Sequence, residues 1–508
     1  MEFNLKKIPV GVLSSLLDTV AEQPVDIDFT LPDYCPDIEK ILRCKLIPKI
    51  YNRNLSGGQL QVDGSTVVSV LYIDPSGSLR ACEQTVPFNS SFPLKSGAEN
   101  AVAITSVKCE YVNCRALSRR RLTVHGAFSL YAKVMCRSTV DLFSPDDSDK
   151  LEFLTKNQSV SALVSLCQEQ FSAGDELQIG NKPSVEVILD SDVKARITDF
   201  KIIPDKLMLN GELSVRLLYL SAEAERPQQL DYIIPFSKVI DCESFDSDTV
   251  VSADISVMSF DIRLKNDILS ENPLVDVDCR LCLTAEGYSQ SETEIVLDAF
   301  STEFASSPQL SRVTVPTDVY SLSETVMQKE SVGFEENSVV EILDLRCSYC
   351  PQNNVLNSDS LSVSSKLNVC ILALNSEGQY VYLERSVEFM NEFDLPSSYN
   401  RLNFLSVTPL SLSYRIGDNN TIELRCELRF TASLINEDIK NIVRSVNVDE
   451  DKKLEPSASS LVLYYADGGE SLWEIAKRYN TRLKRIYEEN DLDSDILENS
   501  AMLMIPTL

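Results

Sequence analysis

Three copies of one sequence pattern, about 150 residues apart, run through most of this 508-residue chain. The pair Ser106-Val107 returns as Ser256-Val257 and again as Ser406-Val407. Upstream, Ile41-Leu42 is matched by Ile188-Leu189 and Ile342-Leu343. Leu71-Tyr72 returns as Leu218-Tyr219, then as Leu372-Ala373 without its tyrosine. The next strand ends Val86-Pro87-Phe88, then Ile234-Pro235-Phe236, then Val387-Glu388-Phe389. Independent markers on one period mean one structural unit copied three times, each copy long enough to bury a core.

The copies read as strands. VDGSTVVSVLYID, LNGELSVRLLYLS and SSKLNVCILALNS alternate apolar and polar residues, with turn residues between such runs. Gly64 and Gly211 enter these strands, and Ser365 stands there in the third copy. The expected fold is mainly β: three tandem β-sandwich-like domains at 25–148, 165–302 and 318–446, the last one degenerate. Stretches such as LFSPDDSDKLEFLTKNQ between the copies read as linker, and so does 447–460. Residues 1–24 carry a short apolar run after a basic pair, without a small-residue cleavage site. They read as an amphipathic helix packed on the body.

Charge and cysteine narrow the function. With 47 basic and 76 acidic residues the net charge is −29, which repels phosphate backbones and argues against nucleic acid. No apolar run is long enough for a membrane span. The cluster Arg115, Arg119, Arg120 and Arg121 reads as a solvated strand-and-turn edge, or else as a patch for an acidic partner. The 14 cysteines sit singly in alternating strands and read as buried thiols. Cys279/Cys282 and Cys347/Cys350 have CxxC spacing, but residues three apart on a strand face opposite ways, so no metal site is expected. His125 is the sole histidine, and there is no phosphate-binding glycine loop. No catalytic set, metal or cofactor is expected, and the chain reads as a non-enzyme.

The stretch VDIDFTLPDYCPDIEKILRC, with the following G-x-x-x-V-x-V-L-Y and I-P-F strands, resembles the SPOCS domains of endospore-forming Firmicutes. The matching residues are Leu31, Pro32, Asp33, Pro36, Asp37, Ile38, Ile41 and Leu42 in the first copy. Pro183, Val185, Ile188 and Leu189 carry it in the second; in the third it is faint. The plain reading of PDYCPDIEKIL is structural, with Asp37 capping a short helix and Ile38, Ile41 and Leu42 packing inward. The other reading makes Asp33 and Asp37 a ligand site.

Residues 461–508 read as strand, helix, helix, strand. Gly468-Gly469 supplies a tight turn. Ser471 and Glu474 form an S-x-x-E capping box, so the first helix starts at Leu472 and buries Leu472, Ile475, Ala476 and Tyr479. Asn480-Thr481 opens the second helix, which Asn490 closes, and Met502 to Ile505 is the return strand. Trp473 suits the packed helix better than a sugar-stacking role. This βααβ pattern resembles a LysM domain. The family's groove for N-acetylglucosamine glycans implies Gly469, Glu470, Ser471 and Leu472 on one side and Asn490, Asp491 and Leu492 on the other. Ser500 departs from the family's glycine before the last strand.

Together the two resemblances place the chain beside the SipL/SpoVID spore-coat morphogenetic family. They imply a mother-cell scaffold at the forespore surface whose LysM docks on a coat base-layer protein (SpoIVA-like). The alternative is an exported or wall-associated peptidoglycan-binding protein.

Overall fold

The computed structural model describes residues 2–506 except 96–99, 146–149, 178–181, 222, 225, 266–273, 334–338, 418–420 and 455–458. After β1 (Glu2–Asn4), the first repeat holds β2 (Lys6–Thr30), β3 (Lys40–Ser56), β4 (Gln59–Ile73), β5 (Leu79–Pro93), β6 (Val102–Ala116) and β7 (Arg121–Ser144). The second holds β8 (Leu151–Leu177), β9 (Val187–Ile203), β10 (Lys206–Leu220), β11 (Gln228–Asp241), β12 (Val250–Lys265) and β13 (Leu274–Ser301). The third holds β14 (Phe304–Gly333), β15 (Val339–Leu356), β16 (Ser360–Asn375), β17 (Tyr380–Asp394), β18 (Arg401–Ile416) and β19 (Thr421–Lys453). The C-terminal module is β20 (Leu461–Ala466), α1 (Leu472–Tyr479), α2 (Leu483–Asn490) and β21 (Ala501–Pro506).

Each repeat contributes a pair of three-stranded antiparallel sheets, β3-β4-β5 with β2-β7-β6, β9-β10-β11 with β8-β13-β12, and β15-β16-β17 with β14-β19-β18, and β1 joins the last as a fourth strand on β19. The first strand of each repeat corrects the sequence reading. Residues 6–24 are not helix but the start of β2, paired with β7 from Lys6↔Ser144 to Thr30↔Arg121. Pro9 and Gly11 disfavour a helix, and Gly11 is needed in the strand: a Cβ there would lie 2.1 Å from the carbonyl of Leu163. Tertiary pairing overrides the local amphipathic pattern. The segments expected as linkers are also largely strand, since β8 starts at Leu151 and β19 runs to Lys453. Residues 146–149 and 455–458 of those segments lie outside the described residues.

The repeats surround an approximate threefold axis rather than following one another in a row. Equivalent residues from all three meet in the same apolar clusters. Leu71, Leu218 and Leu372 meet in one, Met135, Tyr288 and Ile435 in a second, and Leu142, Ile295 and Ile442 in a third. The Ile-Leu markers owe their recurrence to this axis. Register shifts in β3, β9 and β15 fall at Leu42, Leu189 and Leu343, so each leucine is a bulged residue. All three pack into the axial leucine cluster. A bulge re-aims a side chain that regular alternation would send elsewhere.

The Ser-Val markers are less faithful. The bulges of β6, β12 and β18 leave out Glu110, Met258 and Leu410, so Ser106 and Ser406 correspond to Asp254, two residues before Ser256. Alternation repeats every second residue, so an offset of two preserves the face and hides in the sequence.

Charged residues lie beside the axial leucines. Asp190 of the second repeat is ion-paired with Arg43 and Lys45 of the first and with Arg346 of the third. Arg346 also pairs with Asp344 at 2.8 Å. Burial alone would push the Asp190 carboxyl up, but Lys45, Arg43 and Arg346 outweigh it and hold it well below the usual carboxylate range.

The Leu-Tyr markers close each loop before the sheet. Tyr72 donates to the carbonyl of Pro36 at 3.0 Å, and Tyr219 donates to Pro183 at the same distance. Both phenols are fully buried, and Ala373 ends the series in the third repeat. Tyr72→Phe is expected to cost about 0.5–1.5 kcal/mol, because the half-buried carbonyl of Pro36 loses its donor. Urea denaturation checks this, with Tyr34→Phe, at an exposed ring, as the comparison.

Candidate functional site

The C-terminal module is the candidate site, and its residues form it locally. Strands β20 and β21 pair from Leu461↔Pro506 to Ala466↔Ala501. Gly469 turns the chain at φ 93°. Helix α1 begins at Leu472 with Ser471 as its extended N-cap, but the Ser471 side chain makes no capping hydrogen bond, so the expected capping box does not form. Glu470 holds the turn instead, accepting from the backbone N–H of Asp467 and from the hydroxyl of Tyr464, both at 3.0 Å. Asn480, expected to open the second helix, closes the first in the left-handed region, and Arg482 is the N-cap of α2. The left-handed residue after α2 is Asp491, not Asn490. Asn490 is still helical and uses its amide elsewhere. It donates to Met504 O at 2.8 Å and accepts from Met504 N–H at 2.7 Å, tying α2 to β21.

The residues expected to line a groove therefore divide. Gly469 and Glu470 are held against the loop before β21: Gly469 N–H donates to Leu497 O at 2.7 Å and Leu497 N–H to Glu470 O at 3.1 Å. Ser471 bridges to Ile496. Leu472 is wholly buried, and its N–H donates to Asp495 O at 2.9 Å. It is core rather than lining, because the helix face it occupies is the apolar one. Asp491 is exposed and Leu492 half-buried, with Leu492 N–H donating to Tyr487 O. The wall facing 469–472 is thus Asp495 to Leu497, which the sequence reading omitted. Ile496 is exposed there and Leu497 buried, and nothing in the sequence sets the two apart.

A second omission is larger. The module rests on the second repeat. Trp473 is 3% exposed and its Nε1 donates to Asp298 Oδ2 at 2.8 Å. Its ring meets Phe300 edge-on at 5.0 Å, and Lys477 pairs with the same Asp298 at 2.6 Å. Trp473 is core, as its helical spacing implies. Three basic side chains of the module, Lys477, Arg478 and Arg482, are engaged by Asp298, Tyr464 and Glu152.

Other candidate residues have structural partners. Asp37 caps no helix, since residues 31–39 form a loop without helix. Arg120 holds that loop instead, donating to Asp37 Oδ1, to Cys35 O and to Pro32 O, each at 3.0 Å. Arg121 pairs with Asp28 at 3.4 Å. The arginine cluster thus includes a loop clamp as well as a solvated edge. Cys279 and Cys282 are both buried but pack into different clusters, as opposite strand faces require. His125 pairs with Asp26 at 2.5 Å on an exposed edge.

Comparison with known families decides the domain types. The SipL SPOCS domain matches residues 37–117 and 184–265, and the LysM domain matches residues 468–498. The chain carries SPOCS domains and a LysM domain. The SPOCS matches span β3–β6 of the first repeat and β9–β12 of the second, leaving out the long flanking strands. The third repeat shares the sheet order of the other two. No curated protein and no solved structure matches the chain significantly. Together the matched segments cover less than half of the chain.

Proposed function

We propose that this chain is a non-enzymatic spore-coat morphogenetic scaffold whose LysM domain docks on a coat base-layer protein (SpoIVA-like) at the forespore surface, on the mother-cell side. The observation that carries the reading is the outer face of the two-stranded LysM sheet. Leu461, Leu463 and Tyr465 alternate along β20, with Met502 and Met504 opposite on β21, and all five are 37% to 78% exposed. An apolar sheet face on a module of net negative charge suits a protein partner with an apolar patch and basic flanks. Residues 461–508 carry five basic and nine acidic side chains, and three of the basic ones face the body or the module's own Tyr464. Glycan grooves use convergent polar groups, whereas Asn490 is spent on Met504.

The test uses the full chain and the Leu463→Glu variant. Capture by the base-layer protein is expected for the wild type and lost by about tenfold or more in the variant, as for a hot-spot residue. Retention on insoluble peptidoglycan is expected to be weak in both. Strong retention that survives Leu463→Glu and disappears with Ser471→Trp reverses the reading in favour of a peptidoglycan-binding protein.

A further inference from the structure

The seams between successive repeats use the same strand positions but are filled differently. At the seam between the first and second repeats, Arg53 of β3 reaches across. Its Nη1 donates to Ala103 O at 2.7 Å and to Thr105 Oγ1 at 3.4 Å. Its Nη2 contacts Cys282 Sγ at 2.8 Å and Met258 Sδ at 3.6 Å.

Strand register gives the counterparts one repeat later. Arg53 pairs with Val62 in β4, as Phe200 pairs with Leu209 in β10, so Phe200 stands in the place of Arg53. By the same register Val251 and Ala253 correspond to Ala103 and Thr105, and Leu410 and Arg429 to Met258 and Cys282. All five of these counterparts line one cavity of about 210 Å³ between the second and third repeats. Phe200 does not span it as Arg53 spans the first seam, being 41% exposed.

The same cavity gains a carboxylate. Asp254 lines it, at the position held by Ser106 and Ser406 in the other repeats. Arg429 donates to the carbonyl of Ile197 at 3.4 Å rather than to Asp254. Among the described residues, no lysine or arginine forms an ion pair with Asp254, and burial pushes its carboxyl up to about 6, opposed by the N–H of Ile255. Arg196 and Arg429 line the same cavity but are turned to Glu212 and to the carbonyl of Ile197, so a cation that enters relieves the half-buried Asp254 carboxylate.

We propose that this cavity receives a guanidinium group on an alkyl chain, supplied from outside the chain, which lies as Arg53 lies at the first seam and pairs with Asp254. The site lies at the strand positions that a planar guanidinium fills one repeat earlier, with Arg429 in the place of Cys282, and the carboxylate of Asp254 favours the charge-assisted contact. The guanidinium has two sources, a partner's arginine side chain or a small guanidine.

Isothermal titration of the full chain with agmatine and with a capped Gly-Arg-Gly peptide separates them at neutral pH and low salt. Binding of at least one probe is expected, weakened about tenfold or more by Asp254→Asn. Tighter binding of the peptide assigns the site to a protein side chain, and tighter binding of agmatine to a small molecule. Phe200→Arg supplies the group internally; it is expected to raise the melting temperature and abolish uptake of both probes, while Phe200→Leu leaves uptake in place. Absence of heat with both probes overturns the proposal. So does binding that is unchanged in Asp254→Asn and in Phe200→Arg.

Discussion

Asp190→Ala is expected to destabilise the three-repeat body by about 3–5 kcal/mol, because it leaves Arg43, Lys45 and Arg346 buried together without their shared carboxylate. A downward shift of the urea midpoint, followed by far-UV circular dichroism at neutral pH, measures the loss; a cost below about 1 kcal/mol refutes the role given to the cluster. The cluster also sets a pH dependence. The folded-state pKa of Asp190 lies below its unfolded value, so its contribution is fully present above about pH 4. That contribution falls as pH drops from there toward the depressed folded value. In Asp190→Ala this part of the acid sensitivity is expected to disappear, leaving a flatter stability profile below about pH 4.

The second large effect concerns the seat of the LysM domain. Trp473→Ala is expected to cost the module about 3–5 kcal/mol, since the indole is buried both in the module and against the body. Phe300→Ala acts from the other side. It removes the edge-on partner without touching the module's own sequence, so the expected outcome is an undocked but folded LysM. Trp473 is the sole tryptophan, and its emission reports the difference directly. In Phe300→Ala the emission shifts to the red while the module still melts cooperatively. An unshifted spectrum refutes the docking contact.

The contrast between what was readable and what was not follows the range of the interactions. The LysM helices were legible because Leu472, Ile475 and Ala476 satisfy a local 3.6-residue period. The repeat was legible because Leu42, Leu189 and Leu343 serve one axial position, so the same residue recurs. The N-terminal strand was not, since the partner of Lys6 is Ser144, and no local pattern records a pairing at that distance. Asp298 and Phe300 gave no sign of holding the module, because they read as ordinary members of an alternating strand. Arg120 looked like part of a charged edge until the loop from Leu31 to Asp37 was seen folded over it. The expected groove residues divide for a related reason. Family position located the turn at Gly469, whereas burial, which sequence shows only indirectly, decided that Leu472 is core.

The short strand β1 carries a kinetic consequence. Glu2, Phe3 and Asn4 pair with Asn447, Val446 and Ser445, so the first residues of the chain wait for nearly the last ones of the body. During synthesis from the N-terminus, the two earlier repeats emerge with their axial leucines exposed until the third arrives to cover them. Pairing of β1 with β19 is thus a late event, and the LysM module follows it out of the ribosome. Truncated products that stop before residue 343 leave the axial leucines of the first two repeats uncovered, which makes them substrates for chaperones and proteases.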